Sequence, residues 1–421
     1  MTSATAELRI VTAPEAGCRP GDPAYRRIAV GLAVGGLANF ALLYYVQPLL
    51  PSLAARYRVS AGTSAQALSV STLAMAVALL GIGPLSDAVG RVNLLRWSLV
   101  ASGALGLASA LVTSWTALLV LRGLMGVALA GLPAVALAYL REEVHPGAHL
   151  QANATYIAGT ATGGALGRLL PGPLDAWGGW TFATLVLAGV TLAAALAVTT
   201  LIPPSSGFTP TPPRVRAVVG GIVRTVRDPV VLAVCAVGFA GMGAFVGVYN
   251  AISFRLQAPP YLLGHAATLV YLAYPVGIAG PAVARRLVER FGRPRATSVL
   301  VAGMALGSLV VAGRPLAVVM VGLGVLTFSF LGLHSLATGW VVDRARTTGL
   351  GTAQASSSYL LAYYTGSAAI GVSATHLWAG HGWAAVTALS LGLAAAAAAG
   401  VVLAARAQRW GAGVRSAAYG R

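Results

Sequence analysis

The chain contains no lysine, only ten acidic residues and only two cysteines, Cys18 and Cys235. Each shortage excludes something. Cys18 lies in a polar N-terminal arm and Cys235 inside an apolar run, too few and too separated for a disulfide framework or a metal site. The 28 basic residues, every one of them Arg, give a formal net charge of +18. Nucleic-acid binding would need them on one continuous water-facing surface, whereas they stand in short runs between apolar segments. Beside abundant Ala, Gly and Val, the missing Lys reads as the coding bias of a GC-rich genome and carries no functional weight. No Gly-x-x-x-x-Gly-Lys phosphate loop occurs, which excludes ATP-driven pumping by this chain. The acids are Glu7, Glu15, Asp22, Asp87, Glu142, Glu143, Asp175, Asp228, Glu289 and Asp343, and none falls well inside an apolar run. Nor does such a run hold a nucleophile beside a base, so an intramembrane enzyme is not expected and no cofactor is implied.

What is abundant is apolar sequence. Of 421 residues, 57% are hydrophobic and 9% charged, the balance of an integral membrane protein. Apolar runs of about 18 to 25 residues, each long enough to cross a hydrocarbon core about 30 Å thick, recur along the chain. Twelve are counted, over residues 28–50, 64–86, 94–113, 116–140, 152–174, 180–202, 229–252, 266–286, 295–313, 316–340, 352–375 and 383–405. The longest break, Pro203 to Asp228, carries five prolines with Arg214, Arg216, Arg224 and Arg227. The expected fold is therefore all-α: twelve transmembrane helices in two six-helix bundles, 27–202 and 229–405. A cytoplasmic arm (1–26), a linker (203–228) and a tail (406–421) complete the chain. Only Arg56, Arg58, Arg255 and Arg314 fall in the loops of one side, so the positive-inside rule places both termini in the cytoplasm.

Between the second and third runs stands a charged hinge, Gly83-Pro-Leu-Ser-Asp87-Ala-Val-Gly90-Arg91. A weaker copy, Arg285 to Arg293, sets Glu289, Gly292 and Arg293 where Asp87, Gly90 and Arg91 stood. One hinge used twice suggests a chain built by doubling. Gly83 permits close packing, Asp87 can accept from amides at a helix N-terminus, and Gly90 allows a sharp turn. Arg91 can then pair with Glu142 or Glu143 at the end of helix four. The cluster is either a capped, solvated turn or a latch between conformational states.

Twelve helices as six plus six, with this hinge between helices two and three and again between eight and nine, resemble the major facilitator superfamily of transporters over nearly the whole chain. The resemblance makes Gly83, Leu85, Asp87, Gly90 and Arg91 the signature loop, degraded in the second half, and implies that this cluster with Glu142 and Glu143 latches the outward-facing state. Leu121-Arg-Gly-Leu-Met-Gly126 is similar to the family's second motif. Its Arg122 lies about six residues into the fourth run, roughly 9 Å at the helical rise, so it either snorkels to the surface or faces a cavity or partner. Helix five carries Gly159, Gly163, Gly164 and Gly167, a smooth stripe that lets two helices approach closely. This run resembles the antiporter motif of exporters, although the Gly-Pro pair comes late, at Gly172-Pro173, and Arg168 follows Gly167 directly. Arg168 is either part of tight packing or an anion- or proton-linked element. The strings Tyr156 to Arg168, His334 to Trp340 and Tyr359 to Ser367 are similar to a subgroup of bacterial drug and sugar exporters.

The other polar positions within runs are Asn39, Tyr45 and Gln47 in helix one, Tyr249 and Asn250 in helix seven, Phe330, His334 and Thr338 on one face of helix ten, and Tyr359, Tyr363 and Tyr364 in helix eleven. His334 can change charge near neutral pH, which makes it the proton-coupling candidate; a neutral His bonded to a helix backbone is the alternative. Amides, phenols and one imidazole in an apolar cavity suit a neutral or amphipathic small organic molecule, not a multiply charged cation. The resemblance implies a secondary transporter of a bacterial cell membrane that works by alternating access, exports its substrate against protons and acts as a monomer. An uncoupled facilitator and a substrate sensor on the same scaffold stay open.

Overall fold

The computed structural model describes residues 17–206 and 215–419. Most of the expected arm (1–16), the middle of the linker (207–214) and the last two residues lie outside the described residues. The spans, labelled α1 to α12, are Pro23–Tyr44 (α1), Ala61–Val89 (α2), Arg91–Leu111 (α3), Trp115–Glu143 (α4), His149–Leu169 (α5), Pro171–Leu201 (α6), Pro229–Gln257 (α7), Gly264–Phe291 (α8), Arg293–Val311 (α9) and Leu316–Thr348 (α10). One further helical run, Thr352–Tyr419, turns at Gly382 into residues 352–381 (α11) and 383–419 (α12). Among the described residues, ten helical stretches are long and apolar enough to cross a membrane. Splitting the last at Gly382, and adding the more polar α5 with its buried Arg168, gives the twelve crossings.

Local chemistry explains the ends. Ser60 accepts from the Thr63 amide to start α2, and Asp228 accepts from the Val230 and Val231 amides, both at 3.0 Å, to start α7. Helix one is expected to reach residue 50 but stops at Tyr44, because Pro48 lacks an amide hydrogen and disfavours helix in the residue before it. A short helix, Leu50–Tyr57, resumes after the break. Helix five likewise ends early, since Pro171 and Pro173 follow, and Gly172-Pro173 stands in the turn into α6. The first part of α8, Gly264–Ala279, is wound as a tighter 3₁₀ helix containing Pro275. Two further stretches are more ordered than their sequence suggests: Val215–Val226 in the linker is helical, and the tail continues α12 as far as Tyr419.

Doubling is visible in the glycine turns. Gly90 (φ 95°) joins α2 to α3 and Gly292 (φ 78°) joins α8 to α9. Gly179 (φ 70°) and Gly382 (φ 74°) bend the chain just before Trp180 and Trp383, the first within α6 and the second between α11 and α12. Each of these backbones has a positive φ that a side chain would strain.

Close helix contact also repeats. On α5, a Cβ at Gly159, Gly163 or Gly167 would run into the α1 backbone at Ala33, Leu37 and Ala41 in turn. In the second bundle a Cβ at Gly366 of α11 would strike the Phe239 backbone of α7. Thus α1 meets α5, and α7 meets α11, at backbone distance. The loop end of α10 is tied to the start of α7 by Arg344, whose Nε and Nη2 donate to the Asp228 carboxylate at 2.8–3.1 Å. Burial would raise the Asp228 carboxyl, but the Arg344 fork and the two helix-start amides outweigh it and hold the group below its ordinary 3.8.

Two consequences can be measured as thermal unfolding in detergent. Gly163→Val is expected to destabilise by about 1–3 kcal/mol through overpacking against α1, whereas Gly189→Ala, where a Cβ meets nothing within 4 Å, is expected to be neutral or slightly stabilising. Equal effects would refute the glycine contact. Asp228→Asn is expected to cost about 2 kcal/mol at pH 7, because it strips a half-buried Arg of its partner. Since folding lowers this carboxyl's pKa, its contribution is full above the unfolded value and fades as pH falls through the folded one. The gap between parent and variant should therefore close on acidification, and a gap that widens would contradict the pairing.

Candidate functional site

At the first hinge Arg91 binds the Glu142 carboxylate through Nε at 2.7 and 2.8 Å, lies 3.1 Å from Asp87 and donates to the Ser86 hydroxyl at 3.4 Å. Glu143 does not join them. It turns to the linker, accepting from the Ser206 amide and hydroxyl at 2.8 and 2.9 Å. A Cβ on Gly83 would meet nothing within 4 Å, so Gly83 is in open space rather than in a close contact. The second hinge repeats the logic with different letters: Arg293 reaches Asp343, at the end of α10, at 2.6 Å. Glu289 instead faces Arg285 at 3.9 Å on the surface. In each half, then, the Arg after the turning Gly grips the end of the fourth helix of its bundle.

Arg122 is fully buried and does not snorkel. Its Nε donates to the Ala67 carbonyl at 2.9 Å and Nη2 to the Leu43 carbonyl at 3.1 Å, and its guanidinium stands 5.4 Å from the Tyr45 ring. Tyr45 itself stacks on Trp180. Arg122 therefore staples α4 to α1 and α2 using backbone acceptors, which replace the water and headgroups it would otherwise seek.

Arg168 is 1% exposed and has a different setting. Nε donates to Gln47 Oε1 and Nη1 to the Gly164 carbonyl, each at 2.7 Å, while the plane lies 3.8 Å from the Tyr44 ring centre and 4.7 Å from that of Tyr274. Gln47 in turn donates from Nε2 to Asn250 Oδ1 at 2.8 Å, so an arginine–glutamine–asparagine chain crosses from one bundle to the other. All three of its members were expected singly in the pathway; the break at Pro48 is what turns Gln47 to meet Arg168. Asn39 is fully buried with both amide atoms unpaired among the described residues.

His334 accepts from or donates to the Tyr359 hydroxyl through Nδ1 at 3.0 Å and packs 4.6 Å from the Tyr363 ring. It is partly exposed, unlike the tyrosines around it. Beyond it runs an aromatic wall: Phe330 stacks on Phe245 at 4.1 Å, and Phe245 lies 6.2 Å from Tyr274. The wall leads from His334 to Arg168.

A second link between the bundles, unforeseen from the sequence, is Asp175. This carboxylate, 4% exposed, accepts from the Ser52 hydroxyl at 2.6 Å and lies 3.2 Å from His265 Nδ1 at the start of α8. The signal was its position two residues after the helix-breaking Pro173. Ser69 of α2 adds a hydrogen bond to the Ala368 carbonyl of α11 at 3.0 Å. These three ties, Gln47–Asn250, Asp175–His265 and Ser69–Ala368, all lie towards the side where α1 ends and α2 begins, away from the Gly90 and Gly292 hinges.

Comparison with known proteins fits this architecture. The chain matches the family model described as Major Facilitator Superfamily over residues 32–369. It is 36% identical over 366 residues to the uncharacterized MFS-type transporter YybF of Bacillus subtilis (strain 168), covering 87% of this chain and 90% of that one. To the inner membrane transport protein YnfM of Escherichia coli (strain K12) it is 34% identical over 374 residues, covering 89% of each. Among solved structures, the nucleoside transporter NupG aligns with a TM-score of 0.70 at 12% identity, over 91% of this chain and 99% of that one. The xylose transporter XylE from E. coli, in a partially occluded inward open conformation, aligns with a TM-score of 0.64 at 15% identity, over 89% and 97%. At such identities the structures speak for the fold alone. The family match over most of the length and the two relatives go further: this chain belongs to the major facilitator superfamily and is a multi-pass membrane transporter of small molecules.

Proposed function

We propose that the chain is a proton-linked exporter of a small neutral or amphipathic organic molecule, working as a monomer by alternating access in the bacterial cell membrane. The observation that carries this reading is the aromatic wall between Arg168 and His334, contributed by α1, α7, α8, α10 and α11 and therefore by both bundles. Such a wall gives an apolar body stacking surface while a few polar groups orient it.

With both termini on the cytoplasmic side, as the arginines favour, the three ties between the bundles lie at the outer mouth. The described conformation is then closed outside. In this reading the clusters at Arg91 and Arg293, on the cytoplasmic side, brace the ends of α4 and α10 as the bundles rock. Export is the direction suggested by the likeness of helices five, ten and eleven to exporters. His334, with a phenol partner and an open edge, is the proton site favoured within the pathway.

The absence of a carboxylate from the interior of the spans gives weight to a second reading, an uncoupled facilitator. Flux of amphipathic drugs and small sugars in proteoliposomes separates the two. A proton-linked exporter is expected to respond to an imposed pH gradient, to lose that response with a protonophore, and to lose it in His334→Ala while downhill exchange survives. Flux blind to both gradient and protonophore in the parent would mean facilitation. A parent and His334→Ala that respond alike would remove His334 from the relay.

A further inference from the structure

The setting of Arg168 supports a narrower statement about the cargo. It deepens the proposed function and rests on the pathway proposed there. A cation held away from water at bilayer depth is strongly unfavourable unless something balances its charge. Arg122 meets this with carbonyls of two neighbouring helices and the Met125 sulfur. Arg168 has a single backbone carbonyl, from its own helix. Among the described residues no carboxylate pairs with it; Asp175 is already held by Ser52 and His265.

What Arg168 has is neutral: one amide oxygen, one carbonyl and two phenol rings. Both rings pack against the guanidinium, whose donors for a further partner lie along its edge. On that edge Nε and Nη1 are engaged, the Tyr44 hydroxyl also lies within reach of the guanidinium, and Nη2 makes no hydrogen bond of good geometry among the described residues. One bond further along the chain, Asn250 Nδ2 is a second donor, fully buried and without a partner. Unused donors beside an unbalanced positive charge suit an oxyanion, and a guanidinium edge is shaped to take two of its oxygens. Next to this edge begins the wall of Tyr274, Phe245 and Phe330, which suits a flat apolar body.

We propose that the transported molecule is an aromatic organic anion, its acid group bound at the edge of Arg168 and its ring laid along the Tyr274–Phe245–Phe330 wall. An oxyanion that takes Nη2 and Nε displaces Gln47 from Nε. Gln47 carries the bond to Asn250, so loading the site loosens one of the ties that join the bundles.

The test uses an isosteric pair that differs in charge, naphthalene-2-sulfonate and the neutral naphthalene-2-sulfonamide, with benzylamine as a smaller aromatic cation. Binding is measured by equilibrium dialysis against the full-length protein in nanodiscs. The parent is expected to bind the sulfonate at least about tenfold more tightly than the sulfonamide, the effect of one charge-assisted contact in a dry site. Arg168→Gln should bring the two within about twofold while leaving sulfonamide binding in place, since the wall is untouched. Arg168→Lys, which keeps the charge but not the fork, should retain part of the preference and shows that loss in Arg168→Gln is not loss of fold. A parent that binds the sulfonamide or benzylamine as well as the sulfonate, that binds no sulfonate at millimolar concentration, or whose preference survives Arg168→Gln overturns the anion site. Flux of the same probes in proteoliposomes addresses the transport reading separately. Sulfonate bound but moved under no gradient leaves the anion site and sinks proton-linked export; sulfonamide or benzylamine moved in preference to sulfonate keeps a transporter and sinks the anion.

Discussion

Every buried polar group in this molecule must find its partner inside the protein, because the hydrocarbon around the spans offers none. Much of the architecture follows from that one constraint. It is why the described spans are helices, with backbone bonds closed within each segment. It is also why glycine sets the pairing of helices: where Gly159, Gly163 and Gly167 let α5 rest against the α1 backbone, dispersion between closely packed atoms replaces the hydrophobic drive that lipid removes. Arg122 meets the constraint with all three nitrogens, donating to carbonyls of two neighbouring helices and to the Met125 sulfur. Arg168 obeys it only in part, and a group left short of partners in such surroundings is where a ligand has most to offer.

The second half repeats the first in geometry more faithfully than in sequence. Gly90 and Gly292 turn alike, Gly179 and Gly382 bend alike before a tryptophan, and Arg91 and Arg293 each grip the end of a fourth helix. Yet the acid moved. In the first bundle the grip is on Glu142, one of two adjacent acids; in the second it is on Asp343, which no motif marks. A salt bridge needs only that an acid reach the Arg, so sequence drifts around it while the turn, which needs glycine, does not.

This explains what could be read in advance. Twelve spans, the six-plus-six division and the hinge were legible because apolar length and glycine turns leave local marks. The membership of the hinge cluster was legible for Asp87, Arg91 and Glu142, which stand at helix ends on one side of the first bundle. Glu143 could not be told from Glu142 by sequence, since one residue of helical rotation decides which faces Arg91 and which faces Ser206. The chain Arg168–Gln47–Asn250 was legible only as three separate candidates, because its closure depends on the break at Pro48 and on contact between bundles far apart in sequence. Asp175 was passed over for the same reason: its partners, Ser52 and His265, come from distant turns.

The interior holds buried cations and no carboxylate beyond the mouth at Asp175, and that asymmetry bears on how protons and cargo are linked. A carrier with a central carboxylate can exchange a proton for a cation at one site. Under the reading proposed above, the fixed positive charge of Arg168 favours a negative cargo, so a coupled proton would act elsewhere. Asp175 and His265 meet across the bundles and His334 borders the wall; under the proposed proton linkage either position would tie protonation to packing rather than to direct competition with the cargo. The two positions differ in what they sense. The Asp175–His265 pair holds the bundles together at that mouth, whereas His334 stands beside the aromatic wall. The first acts on closure, the second on loading, and export against protons requires that protonation and cargo favour different states.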